Sequence, residues 1–314
     1  MRIVFGGTPD VAVPSLDAFV DSRHELAAVV TRPDAPSGRG KKLTASPVAR
    51  RAAELGIEVL KPQRPREEEF IARLTELAPD CCPVVAYGAL LPQRVLDIPR
   101  NGWVNLHFSL LPAWRGAAPV QHAILAGDQT TGATTFRIVL ELDAGPIFAT
   151  VSEPIGPDDT AGDLLRRLSL SGARLLVDTL NGIEQGTLTP MPQPDTDAQA
   201  SYASKITVED AQIDWTRPAE GTDRLIRACS PAPGAWTTFD GDRFKINSAQ
   251  ISDVVRPPGA LEITKRSVWV GTGTRALELG EVQAQGKKPM AAADWARGIA
   301  FGSEPRLGAR VSEA

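Results

Sequence analysis

Arg2-Ile3-Val4-Phe5-Gly6-Gly7-Thr8-Pro9 is a short apolar run that stops at a Gly-Gly-Thr-Pro turn. A strand of near-continuous apolar character belongs in a parallel sheet covered on both faces, where no side of the strand meets water. The residues that follow keep to that plan. Val13 to Val20 has helical spacing, Glu25 to Thr31 is a second strand rich in Val and Ala, and Pro47 to Leu55 reads as a helix with proline near its first turn. A short strand near Val59, a charged helix from Glu67 to Leu77 and the apolar run Pro83-Val84-Val85-Ala86-Tyr87 come next. Trp103 to His107 is then a strand, Ala117 to Ala126 a helix, and Thr134 to Leu140 and Ile147 to Pro154 two further strands. A long amphipathic helix covers roughly Thr160 to Leu180. This alternation predicts an α/β domain over residues 1–190, Rossmann-like and built on a mostly parallel sheet.

The pattern changes beyond residue 190. Pro190, Pro192 and Pro194, with Asp195 and Asp197, predict a linker over residues 191–205. Residues 206–314 hold one helix candidate, Thr222 to Cys229, and short strand-like pieces broken by Gly and Pro. Those pieces are Ala235 to Phe239, Arg243 to Ile251, Gly259 to Thr264, Ser267 to Val270 and Leu277 to Val282. Several short strands at this spacing predict a small all-β barrel.

Composition bounds the function. With 314 residues the chain has length for two domains, and 42% hydrophobic with 23% charged residues is ordinary for a globular protein. No stretch approaches the roughly 20 apolar residues that cross a bilayer, and the first residues read as a strand rather than a signal peptide, so the expected location is cytoplasmic. Cys81 and Cys82 are adjacent and Cys229 is remote, which fits neither a disulfide framework nor zinc-ligand spacing; no metal is expected. Imidazole chemistry is confined to His24, His107 and His122. A formal charge of -4 argues against a generic nucleic-acid binder unless cations are gathered locally.

The segment richest in chemistry is Asn105-Leu106-His107-Phe108-Ser109-Leu110-Leu111-Pro112-Ala113-Trp114-Arg115-Gly116. Alternate side chains of a strand share a face, so Asn105 and His107 project together where open α/β sheets place their ligands. A carboxamide beside an imidazole supplies donors to a developing oxyanion. On spacing alone a capped strand end explains the pair as well. Asp143, in Glu141-Leu142-Asp143-Ala144-Gly145-Pro146, ends the predicted strand Thr134 to Leu140; it is either a turn aspartate or a carboxylate on the same rim that raises the imidazole pKa. Gly6-Gly7-Thr8-Pro9 lacks the Gly-x-Gly-x-x-Gly spacing of a dinucleotide turn. His24 and His122 read as structural or surface residues.

Taken together, Phe5-x-Gly7-Thr8-Pro9, Val85-Ala86-Tyr87-Gly88, Asn105-x-His107-x-Ser109-Leu110-Leu111-Pro112-x-x-Arg115-Gly116 and Leu142-Asp143-x-Gly145 resemble the folate-dependent formyltransferases. The resemblance covers essentially the whole chain. It implies Asn105, His107 and Asp143 as the catalytic trio; the expected roles are Asn105 and protonated His107 stabilising the reacting oxygen, with Asp143 supporting the imidazolium. It implies 10-formyltetrahydrofolate as co-substrate, its pterin under Val84 to Leu91 and beside Ser109, Leu110, Leu111 and Pro112. The loop Thr31 to Leu43, with Arg39, Lys41 and Lys42, is similar to the loop that methionyl-tRNA formyltransferases insert at the acceptor end, and the last domain is similar to their OB-like barrel. The implied partner is methionyl initiator tRNA, with Lys287 and Lys288 as further candidate contacts and Arg243 to Lys245 beside them. The family's usual state is a monomer. Family members often carry an aromatic residue shortly after Thr8-Pro9, where this chain has Asp10-Val11-Ala12, so no tRNA contact is expected there. The trio itself does not distinguish a tRNA substrate from an amino sugar nucleotide or a ribonucleotide amine. A non-catalytic RNA-binding module would leave the trio without purpose, and a folate hydrolase would leave the last domain unexplained.

Overall fold

A computed structural model describes residues 1–37, 42–194 and 200–308. The chain divides into two compact units. The first holds Met1–Pro119, Thr130–Pro154 and Leu165–Ala203; the second holds Val120–Gln129, Ile155–Leu164 and the chain from Ser204 on.

The first unit is built on a seven-stranded sheet. Its strands are β1 (Arg2–Gly7), β2 (Glu25–Val30), β3 (Val59–Leu60), β4 (Cys82–Val85), β5 (Trp103–His107), β6 (Thr130–Arg137) and β7 (Ile147–Pro154). They lie in the order β7-β6-β5-β4-β1-β2-β3. The pairs among β1 to β5 are parallel, and β6 and β7 run antiparallel. The mostly parallel sheet is thus as the apolar runs predict: every residue from Ile3 to Gly7 and from Cys82 to Val85 is buried. Both cysteines of the adjacent pair lie in this core, and desolvation pushes the Cys81 thiol up to about 12. They are apolar packing, not reactive thiols.

Strand β5 sits at the turning point of the sheet, with β4 parallel on one side and β6 antiparallel on the other. Its alternation sends Leu106 away from Asn105 and His107. Leu106 meets the long helix Ala161–Gln185 at Gly172, where a Cβ would lie 2.8 Å from the leucine methyl. Glycine there lets the helix approach the sheet closely. A buried hydroxyl pair, Thr135 Oγ1 to Thr179 Oγ1 at 2.8 Å, ties β6 to the same helix.

Strand β6 differs from expectation. It covers Thr130–Arg137 rather than Thr134 to Leu140. Its β-branched threonines make the ladder, whereas Val139 and Leu140 are exposed and belong to the following loop. Three short elements carry too little periodicity to be read from sequence: the helix Gln93–Leu96 and the antiparallel pair Ala35–Ser37 and Lys42–Thr44.

The second unit has two four-stranded antiparallel sheets. One contains Trp236–Phe239, Asp242–Ile246, Glu281–Ala284 and Met290–Ala291; the other contains Ala249–Ile251, Leu261–Ile263, Val268–Val270 and Leu277–Leu279. Two predicted strands are each split by a bend, at Asn247-Ser248 and at Gly280, and so pass from one sheet to the other. That is the construction of a barrel-like all-β unit, although no pairing that closes a barrel is assigned among the described residues. Phe244, Val268, Leu277 and Val282 fill its core, and Trp295 packs tilted against Phe244 at 4.5 Å between ring centres.

Candidate active site

Asn105 and His107 share one face of β5, and beside them on β6 lies Phe136, paired with Asn105. These residues line a cavity of about 940 Å³, whose further walls include Val84, Ala86 to Pro92, Ile138 to Asp143 and Arg64 to Arg66. The size is that of a small-molecule site.

Asp143 reaches this cavity by a route the sequence hides. Because β6 is antiparallel to β5, Arg137 at its end lies opposite Val104, away from His107. Asp143 is therefore not at a strand end on the same rim. Residues 138–146 fold back along the cavity instead, and Asp143 Oδ2 comes to 3.8 Å from His107 Nδ1. The carboxylate accepts the Gly116 N–H at 2.8 Å, and Asp143 itself is held at φ 48°. Trp114 (φ 60°) and Ala86 (φ 48°) also occupy the left-handed region at this site. Such backbone persists only where surroundings enforce it.

His107 is 6% exposed, and its Nε2 donates to the Trp114 carbonyl at 2.8 Å. Desolvation by burial lowers its pKa, outweighing the opposing pull of the Asp143 carboxylate and of the Trp114 carbonyl. The Asp143 carboxylate does pull the imidazole pKa upward, as expected, but at 3.8 Å it does not offset the loss of water around the ring, and the protonated ring expected from it is not favoured. Nε2–H is thus fixed on the Trp114 carbonyl, leaving Nδ1 as the ring nitrogen nearer Asp143.

The residues expected to touch the folate fall into two groups. Val84 and Ala86 to Leu91 line the cavity. Ser109, Leu110, Leu111 and Pro112 are set back from its lining. Ser109 is fully buried, donates to the Ala113 carbonyl at 2.6 Å and accepts Thr134 Oγ1 at 2.6 Å through its own carbonyl. Leu111 N donates to Thr134 Oγ1 at 3.2 Å. The hydroxyl and carbonyl of Ser109 and the N–H of Leu111 are bonded inside the turn that carries Trp114 to His107. The apolar wall comes from Val139, Leu140 and Leu142, which lie beyond β6 in the loop that sequence patterning assigns partly to a strand. Their signal in the chain is three exposed large aliphatics around an acidic turn.

Among the cationic candidates, Arg39 and Lys41 lie outside the described residues. Lys42 is exposed at the start of Lys42–Thr44. Lys287 and Lys288 are exposed in the turn between Glu281–Ala284 and Met290–Ala291, and neither forms an ion pair among the described residues. Arg243 lies over the Trp236 ring at 4.2 Å, while Lys245 donates to the Pro233 carbonyl at 2.9 Å. Among the described residues no cluster of three or more His, Cys, Asp or Glu could hold a metal, and no helix is long and apolar enough to cross a membrane. His24 is buried, and His122 bonds the Ser204 carbonyl at 3.0 Å.

A sheet face carrying an amide and an imidazole, met by a carboxylate from the loop 138–146 beside an apolar cavity, is an arrangement fit for acyl-group transfer from a small-molecule donor. Residues 1–180 match the formyl transferase family and residues 205–300 match the formyl transferase C-terminal domain, so the chain belongs to the formyl transferase family. It is 65% identical to the methionyl-tRNA formyltransferase of Thermobifida fusca (strain YX), over 98% of this chain and 99% of that protein. It is 62% identical to the methionyl-tRNA formyltransferase of Streptomyces avermitilis, over 98% of this chain and 100% of that protein. Among solved structures, HypX from Aquifex aeolicus in complex with tetrahydrofolic acid has the same fold, with a TM-score of 0.66 at 18% identity over 94% of this chain and 46% of that one.

Proposed function

We infer that this chain is a methionyl-tRNA formyltransferase, moving the formyl group of 10-formyltetrahydrofolate to the amine of methionyl initiator tRNA in the cytoplasm, as a monomer. The observation that carries the chemistry is the meeting of Asn105, His107 and Asp143 at one cavity, with Asp143 Oδ2 3.8 Å from the His107 ring. Identity of 65% along the whole length to a methionyl-tRNA formyltransferase carries the choice of acceptor. Residues 1–190 supply the catalytic site and residues 206–314 the tRNA-binding domain, joined through residues 191–205.

The cavity fits the donor. Its walls are apolar around Tyr87, Leu91 and Leu142, as a flat aromatic ring system requires, and Arg64 and Arg66 stand at its exposed end for an anionic tail. The donor supplies an already activated formyl carbonyl. Asn105 donates its amide N–H to the carbonyl oxygen as negative charge develops there. Neutral His107 takes the proton that the attacking amine must lose. The imidazolium so formed is stabilised by the Asp143 carboxylate and the Trp114 carbonyl, the two groups that already favour the charged ring. That proton can then be returned to the departing nitrogen.

The assay is transfer from 10-formyltetrahydrofolate to charged initiator tRNA, read as formyl-methionine. Activity only on an amino sugar nucleotide or a ribonucleotide amine would displace this reading. Removing one oxyanion donor typically costs about 2.7–4 kcal/mol in the barrier. Asn105→Ala, which loses the oxyanion donor, should lower single-turnover rates by about two to three orders of magnitude, and His107→Ala, which loses the general base, by about two to four, both with little change in folate affinity. Near-normal rates in both variants would remove them from the mechanism.

A further inference from the structure

The stretch expected to be a linker is bonded into the first unit on both sides of residues 195–199. Met191 exchanges two backbone hydrogen bonds with Ile147, each 2.7 Å. Tyr202–Ala203 pairs with Arg115–Gly116. Between these points lies Gln193, flanked by the exposed Pro192 and Pro194 but turned inward. Its amide N–H groups donate to the Asp143 carbonyl at 2.7 Å and the Gly145 carbonyl at 2.9 Å. Its amide oxygen accepts from Arg115 Nη2 at 2.6 Å and Nε at 3.2 Å. The orientation is not arbitrary, because a flipped amide would face a guanidinium with N–H groups and two carbonyls with oxygen.

We propose that Gln193 is a positioning residue for formyl transfer, acting through Asp143. Asp143 has a left-handed backbone, φ 48°, a conformation that a non-glycine residue leaves unless it is held. Gln193 grips the carbonyls on both sides of Ala144 and so holds that turn. The carboxylate can then satisfy the Gly116 N–H at 2.8 Å while standing 3.8 Å from His107. Ser201, in the same segment, plays the matching part for the ring: its hydroxyl accepts the Trp114 N–H at 2.8 Å, and Trp114 presents its carbonyl to His107 Nε2 at 2.8 Å. Gln193 is not among the residues that line the cavity, so its effect on turnover passes through the groups it holds.

The inference rests on the catalytic reading of His107 and Asp143, and the test separates the two. Gln193→Met removes donors and acceptor at similar length; Gln193→Glu keeps the acceptor for Arg115 and loses the donors; Asp143→Asn tolerates the left-handed turn. All are assayed as full chains with 10-formyltetrahydrofolate and methionyl initiator tRNA. Displacement of a reacting group by about 1 Å costs on the order of 100-fold, so both Gln193 variants should lower kcat by about 10–100-fold. KM for either substrate should move by less than about threefold, since ground-state binding is untouched. In the Asp143→Asn background, Gln193→Met should cost no more than about twofold, because residues acting as one unit are not additive. Losses that multiply in the double variant, a loss confined to KM, or normal kcat in Gln193→Glu would overturn the inference. Normal turnover in Asp143→Asn alone would overturn the catalytic reading and the inference with it. Normal turnover in the Gln193 variants beside a crippled Asp143→Asn would overturn the inference alone.

Discussion

At the His107 ring, burial and charge act in opposite directions, and burial wins. At His24 desolvation is again the largest effect, the Met1 ammonium and Arg23 add to it, and the pKa is again lowered. Both imidazoles therefore bind protons less readily in the folded chain than in the unfolded one, where they titrate near pH ~6.5. Their contribution to stability is complete above about pH 6.5 and is lost as the pH falls from there through the depressed folded values. Urea denaturation between roughly pH 5 and 7.5 should show stability dropping on the acid side. The drop should be smaller in His24→Gln. An equally steep acid limb in that variant would assign the effect to other groups.

At the scale of the element, the turn 109–116 matters more than its length suggests. The Ser109 carbonyl and the Leu111 N–H engage Thr134, the Trp114 carbonyl bonds His107, and Gly116 N–H holds Asp143. Gly116 has φ 121°, and a Cβ there would lie 2.6 Å from the Ala203 carbonyl. Gly116→Ala should thus destabilise the first unit by about 1–3 kcal/mol through backbone strain. It should also lower turnover by at least about tenfold, since its N–H is one fixed point of the carboxylate. Denaturation curves and steady-state rates check the two effects separately. The aromatic cluster of the second unit makes a different case. Trp295 packs against Phe239, Phe244 and Phe301 at 5.1, 4.5 and 5.6 Å, so Trp295→Ala should cost about 3–5 kcal/mol. A shift in that unit's thermal transition measured by calorimetry would show it.

Across the whole molecule the formal charge of -4 sets the electrostatic question. Phosphate attraction is screened within about 8–10 Å at physiological salt, so local cations count and the total does not. Lys287 and Lys288 stand in an exposed turn with no ion pair among the described residues, which leaves both charges available to a polyanion. Lys287→Ala and Lys288→Ala should weaken tRNA use and lower the logarithmic salt slope by about one for each phosphate no longer neutralised, with formyl-folate hydrolysis unchanged. An unaltered slope would make them ordinary solvated charges.

Much is readable from residues alone because burial leaves a pattern. The apolar runs of β1 and β4 carry the parallel sheet, and alternation places Asn105 with His107 on one face of β5. What cannot be read depends on chain direction and on contacts between distant segments. The antiparallel course of β6 sends the chain away from His107, and only the fold-back of residues 138–146 returns Asp143 to the ring. The depth of burial that reverses the His107 shift, and the clasp from Gln193 fifty residues beyond Asp143, likewise have no local signature. Hydrophobic periodicity records which side of an element is dry; the direction of a neighbouring strand, the solvent left around a ring and the partner of a lone amide arise only when separate pieces of chain meet.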